Sequence, residues 1–212
     1  MSFLSLLVYE FDRYLETPQR EAQQRLIFRE AEALTTLQDH SNIIRAYDPF
    51  EWDGDKICAP TEWVGNGFTL RDRLDESGPL DLTSLKSIVT QVCDGLAFAH
   101  ANGVVHRGLS PESILISPDG RVKLIDFDYA RVPELVTLSG MDITLGDTPY
   151  AAPEQISDSA QADHRADIYA LGVTLYEALT GRVPNPPVPD APSVLNEDVP
   201  AGLDADFRLN QA

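Results

Sequence analysis

His106-Arg107-Gly108-Leu109-Ser110-Pro111-Glu112-Ser113 is a polar loop set between two strongly patterned segments, and Asp126-Phe127-Asp128 follows it. Upstream, an amphipathic helix is capped around Asp81 or Thr83 and carries Leu85, Ile88, Val89, Val92, Leu96 and Ala99 on one face. Gly103 stops that helix, and Val104–His106 leads into the loop. Downstream, Ser113–Ile116 and Val122–Ile125 are joined by Pro118-Asp119-Gly120 and read as a β-hairpin. The loop therefore runs from a long helix into a hairpin, and the acidic triplet leaves that hairpin.

Working outward, the chain opens on an apolar stretch, Met1–Val8, with no basic flank and no cleavage-like site. It is too short to cross a bilayer and reads as a buried strand. Thr17-Pro18 starts a helix on which Leu26, Ile27, Phe28, Ala31, Leu34 and Leu37 recur at helical spacing, ending near Asp39. Strand-like pieces Ile43–Tyr47 and Lys56–Val64 flank the turn formers Asp53-Gly54-Asp55, and Thr69–Leu74 reads as a short helix. Beyond the acidic triplet, a loop runs to about Thr148. The most apolar helix covers Ala166–Thr180 and ends at Gly181. From Val183 the prolines 184, 186, 187, 189, 192 and 200 predict extended linker. Trp52 and Trp63 are expected to pack near the strand turn and the segment after it.

With 212 residues and 43% apolar composition, the chain has an ordinary globular makeup. Its 16 basic and 34 acidic residues give a net charge of −18, which repels phosphate backbones and anionic lipid. Nucleic-acid and membrane binding are not expected, whereas basic protein surfaces suit it. Cys58 and Cys93 lie in apolar stretches. Two buried thiols fit a reducing, cytoplasmic compartment.

The order of these elements and four motifs resembles the eukaryotic-type protein kinase domain in its bacterial Ser/Thr form, from about Leu6 to Pro184. His106–Ser113 looks like the catalytic loop, Asp126-Phe127-Asp128 like the metal-binding triplet, and Tyr150-Ala151-Ala152-Pro153-Glu154 like the end of the activation segment. Asp167-Ile168-Tyr169-Ala170-Leu171-Gly172 resembles the start of the central helix of the larger lobe. The resemblance implies an α+β, two-lobe fold. Residues 1–64 form a partial smaller lobe without its glycine-rich loop, and 65–184 the core of the larger lobe. Residues 185–212 form a Pro-rich acidic tail where further helices would start.

Position by position, the resemblance argues against phosphoryl transfer. The family's catalytic aspartate falls on Gly108, its loop lysine on Ser110, and the asparagine that holds a second Mg²⁺ on Ser113. Glu30 matches the helix glutamate that pairs with a strand lysine, but Leu7 stands at the lysine position and no basic residue precedes Arg13. Asp126 alone is left to reach a metal. Asp128 stands where glycine is usual, and the two acids are not read as a paired site. Thr61, Glu62 and Val64 fall on the hinge segment that would face a nucleotide base. With Tyr150 aligned to the family's tyrosine, Asp147 replaces a threonine that contacts the catalytic residues. Thr137, Ser139, Thr144 and Thr148 read as solvated loop hydroxyls, with phosphorylation and pairing to Arg107 as the alternative.

His106 and Asp167 are expected to anchor the loop by hydrogen bonds, with His100 packed or capping at the end of the long helix. Glu154 is expected to need an arginine from a later part of the larger lobe. Three readings follow: a pseudokinase acting as a binding or regulatory module on a protein partner, with no cofactor; an atypical ATP- and Mg-dependent serine/threonine kinase; or a truncated remnant.

Overall fold

The structure, a computed structural model, describes residues 4–10, 17–37, 40–53, 56–130, 149–157, 162–185, 189–205 and 207. Strand β1 (Leu4–Glu10) pairs antiparallel with β3 (Lys56–Glu62), whose other edge takes β2 (Phe50–Trp52). In this register Leu7 lies opposite Ala59. Helix α1 (Thr17–Thr36) buries Ile27 against Ile57 and Ala59 of that sheet. It ends sooner than Asp39.

The second sheet has the order β4-β5-β6, from Phe68–Thr69, Ile114–Ile116 and Val122–Leu124. Gly120, at φ 81°, makes the turn between β5 and β6 in a backbone region that glycine enters at no steric cost. Helix α2 (Leu70–Ser77) starts at a capping box in which Thr69 and Asp72 satisfy each other's backbone N–H groups. Helix α3 (Leu82–Ala101) is capped by Asp81, whose carboxylate accepts from the N–H groups of Thr83 and Ser84. Gly95 lets α3 close on β6: a Cβ there would sit 2.9 Å from Leu124 Cδ1 and 3.1 Å from the Asn42 carbonyl oxygen. Helix α4 (Pro153–Ser157) is short. Helix α5 (Arg165–Thr180) is buried along much of its length and stops at Gly181 in the left-handed conformation.

The segment expected as a strand at Ile43–Tyr47 does not join either sheet as one. The Ile44 N–H donates to Leu124 O in the second sheet, and the Tyr47 N–H donates to Pro60 O in the first. Five residues thus step between two ladders, and neither ladder extends far enough to make a strand of them. They also stitch the two sheets together. The main apolar core lies with the second sheet, from Leu34 of α1 and Leu37 just beyond it through Ile43, Leu70, Val92, Leu96, Leu124 and Phe127 to Leu179 of α5, while Ile57 and Ala59 of the first sheet form a separate small cluster with Ile27.

Three expectations need correction. Cys93 is exposed on α3, because it is one step round the helix from the buried Val92; only Cys58 is buried. Trp52 and Trp63 are both exposed rather than packed. The proline-rich tail is not extended over its described part. Pro192 opens a helical turn, α6 (Pro192–Leu195), and Val199 is buried in the main core. The Asn196 side chain donates to Leu179 O at 2.7 Å, satisfying one of the carbonyls left open at the end of α5.

Candidate functional site

The loop from His106 to Ser113 is held by a buried carboxylate. Asp167, fully buried at the start of α5, accepts from the N–H groups of His106 (3.0 Å) and Arg107 (2.7 Å), and His100 Nε2 lies 2.7 Å from it. A buried carboxylate needs this many donors to remain ionised at low cost. His100 is therefore an anchor of Asp167 more than a helix cap. Arg107 takes a left-handed φ of 66°, which turns the loop away from the strand direction, and its carbonyl accepts from Gln155 Nε2 at 2.8 Å.

His106 is fully buried against Phe127, with ring centroids 4.4 Å apart. Its Nε2 faces the Ile125 carbonyl at 2.9 Å and its Nδ1 accepts the Gly108 N–H at 3.2 Å, which assigns the neutral tautomer protonated on Nε2. Burial lowers its pKa from the ordinary histidine value, in agreement with a neutral ring. His106 is thus a strut, with no lone pair facing outward.

Further along the loop, the hydroxyls are spent internally. Ser113 is buried, accepts the Ser110 N–H and donates to Ser110 O, both at 3.0 Å. Burial raises the Glu112 carboxyl, but Arg71 first and the Ser110 hydroxyl after it hold it below its usual range. Gly108 offers no side chain.

Helix α1 brings Glu30 to the acidic triplet. Its carboxyl is pushed up to about 8, first by burial and then by the charges of Asp128 and Asp126, and it is hydrogen-bonded to the Asp128 side chain and to the Phe127 backbone. Asp126, in a left-handed backbone at φ 61°, is pushed up to about 6 by loss of surrounding water and by Asp128 and Glu112. Two carboxyls in hydrogen-bond contact cannot both be ionised cheaply. At neutral pH Glu30 is the one that keeps the proton.

The hinge-like residues are engaged within the protein. Glu62 accepts from Lys123 Nζ at 2.5 Å and from the Arg45 N–H at 2.9 Å, while its own N–H donates to Arg45 O. Thr61 bridges to Ala46, and Val64 packs on the main core.

A second polar cluster was not legible in the sequence. Arg71 of α2 reaches Glu112 at 2.9 Å and the buried Glu177 at 2.9 Å, and donates to Tyr150 Oη at 2.8 Å. Tyr150 in turn donates to Glu177 at 2.5 Å. Glu177 first, and Glu112 after it, hold the Arg71 guanidinium above its usual pKa. This cluster ties the loop, α2, α5 and Tyr150 together. Glu154, expected to need a late arginine, is exposed rather than buried. Thr137, Ser139, Thr144, Asp147 and Thr148 lie outside the described residues.

The groups that would meet a nucleotide and Mg²⁺ fit them poorly. Ser113 has turned its hydroxyl inward, and Glu30 faces acids. Among the described residues, no three His, Cys, Asp or Glu side chains are grouped to hold a metal ion.

A family model for the protein kinase domain matches residues 13–197. The chain is 39% identical over 155 residues to the serine/threonine-protein kinase PknL of Mycobacterium tuberculosis, an alignment covering 73% of this chain and 38% of that protein. It is 38% identical over 156 residues to the serine/threonine-protein kinase PrkC of Bacillus subtilis, covering 74% and 24%. With a probable serine/threonine-protein kinase, pknA2, of Bifidobacterium longum it shares 35% over 187 residues, covering 87% and 24%. The chain therefore spans well under half the length of these relatives. No helix among the described residues is long and apolar enough to cross a membrane. On its fold, its four motifs in order and a match across most of its length, the chain belongs to the protein kinase family.

Proposed function

We propose that this chain is a pseudokinase, a protein kinase domain that does not transfer phosphate and acts by binding a protein partner. The observation that carries the reading is the state of the loop: glycine at 108, with the Ser113 hydroxyl consumed by hydrogen bonds to the Ser110 backbone. Loss of a positioned base typically costs on the order of 10²–10⁴-fold in rate. Glu30 adds to it. In place of a cation it meets Asp128, so negative charge gathers where a triphosphate would need positive charge. Neither ATP nor Mg²⁺ is a cofactor on this reading. The net charge of −18 favours a partner with a basic face, in the cytoplasm.

One feature favours an atypical serine/threonine kinase instead: Asp126 is retained just beyond β6. Two measurements separate the readings. Mg²⁺-ATP at 5 mM should leave the melting temperature unchanged, since ligand binding to the folded state raises it by linkage. Purified chain with γ-labelled ATP and a basic protein acceptor should transfer no label beyond that of an Asp126→Ala control. Transfer by the unmodified chain, abolished in that control, overturns the proposal.

A further inference from the structure

Glycine at 108 is not required by the backbone. Among the described residues, the glycines with positive φ are Gly65, Gly78, Gly103, Gly120 and Gly181, and Gly108 is not one of them, so an L-residue can adopt its conformation. What opposes a side chain there is space. A Cβ on residue 108 would lie 3.2 Å from Tyr129 Cδ2 and 3.9 Å from Tyr129 Cβ, with His106 Nδ1 at 3.8 Å. The first of these distances is tighter than ordinary van der Waals contact, so the Tyr129 ring must give way for a side chain at 108.

The backbone that carries Tyr129 cannot simply withdraw. Phe127 and Ala130 on either side of it are fully buried, and the Ala130 N–H donates to Phe127 O at 2.9 Å, closing the turn that carries Tyr129. His106, the other neighbour, is itself fixed at both ring nitrogens. The backbone at 129 is thus pinned, and only the ring can move.

We infer that Tyr129 is a built-in plug that occupies the side-chain space of position 108, so that 108 and 129 form a mutually exclusive pair: a side chain at 108 is accommodated only when the ring at 129 is removed. The pairing goes beyond the absence of a base. It makes that absence a two-residue lock, which no single substitution at 108 reverses. Only its meaning for catalysis rests on the pseudokinase reading; the packing conflict does not.

A double-mutant cycle read by thermal melting tests it. Gly108→Asn supplies a side chain the size of aspartate without adding charge beside Asp126 and Asp128. In the parent chain it should lower the melting temperature by about 3–10 °C. In a Tyr129→Phe background, which keeps the ring, the drop should be the same. In a Tyr129→Ala background it should fall to less than a third of that, with Tyr129→Leu as the substitute should alanine prevent folding. An equal drop in all backgrounds, or no drop in the parent, overturns the inference. Adding γ-labelled ATP to Gly108→Asp/Tyr129→Ala keeps the two claims apart. Label transfer with the coupling present would leave the lock standing and count against the pseudokinase reading, while a missing coupling would sink the lock alone.

Discussion

Replacing Glu30 by glutamine should make the protein more stable at pH 8 and leave it nearly unchanged at pH 5. The carboxyl is raised from 4.5 to about 8 in the fold, by burial and by the facing charges of Asp128 and Asp126. An acid with a raised pKa binds a proton in the folded state that the unfolded chain has already released. Its favourable contribution is therefore complete below pH 4.5 and is lost as pH rises through 8. Between those limits the folded chain holds close to one extra proton, and stability falls by up to about 1.4 kcal/mol per pH unit. Across pH 5 to 8 that gives an upper bound of about 4 kcal/mol, and relaxation of a half-buried side chain reduces it to about 2–3 kcal/mol. Glutamine stays neutral throughout, keeps the size, and can donate its amide to Asp128. Urea unfolding of both chains at half-unit steps from pH 5 to 8.5 measures the difference directly. The large net negative charge acts on both chains alike and cancels. Parallel stability curves, or a Glu30→Gln chain less stable at pH 8, would refute the claim that Glu30 is a protonated acid facing acids.

Other substitutions probe the supports of the site. Arg71→Ala strips the buried Glu177 of its cation and should cost about 3 kcal/mol in urea unfolding; a loss under about 1 kcal/mol would mean that Tyr150 alone satisfies that carboxylate. Lys123→Met leaves Glu62 with only the Arg45 N–H and should cost about 2–4 kcal/mol, whereas Lys123→Met paired with Glu62→Leu should recover much of it. Asp167→Asn keeps its size but weakens its two hydrogen bonds to the loop and its contact with His100 of α3, and should speed amide hydrogen exchange at His106 and Arg107 at least tenfold relative to amides in β6.

Most of the fold was legible because its elements announce themselves locally. Asp81 as a cap, the apolar stripe from Leu85 to Ala99, Asp119-Gly120 in the hairpin turn and Gly181 after α5 each act within a few residues of themselves. The failures share a cause. Ile43–Tyr47 has strand composition, but its hydrogen bonds are divided between two sheets, and that division depends on where those sheets lie. The proline-rich tail has linker composition, yet Pro192 sits in a first helical turn and Val199 meets a core assembled from distant parts of the chain. Propensity is decided locally, whereas these outcomes are tertiary.

The site divides along the same line. Which residues stand at 108, 110, 113 and 30 is a fact of sequence, but what they have become is a fact of packing. Nothing in the spacing of Glu30 and Asp128 signals that they touch, since they lie on a helix and a loop brought together only by the fold. Arg71 looks like one of 16 basic residues until Glu112, Tyr150 and Glu177 converge on it. These contacts bear on the functional reading, because loss of catalytic side chains alone would leave polar groups pointing into an empty site. Instead Ser113 closes on Ser110, Glu30 on Asp128, and Tyr129 on Gly108. Among the described residues, the loop from 108 to 113 is thus packed on itself and on Tyr129. A packed and stable loop is what a binding surface requires, and it is why the substitutions are read together as one rebuilt site.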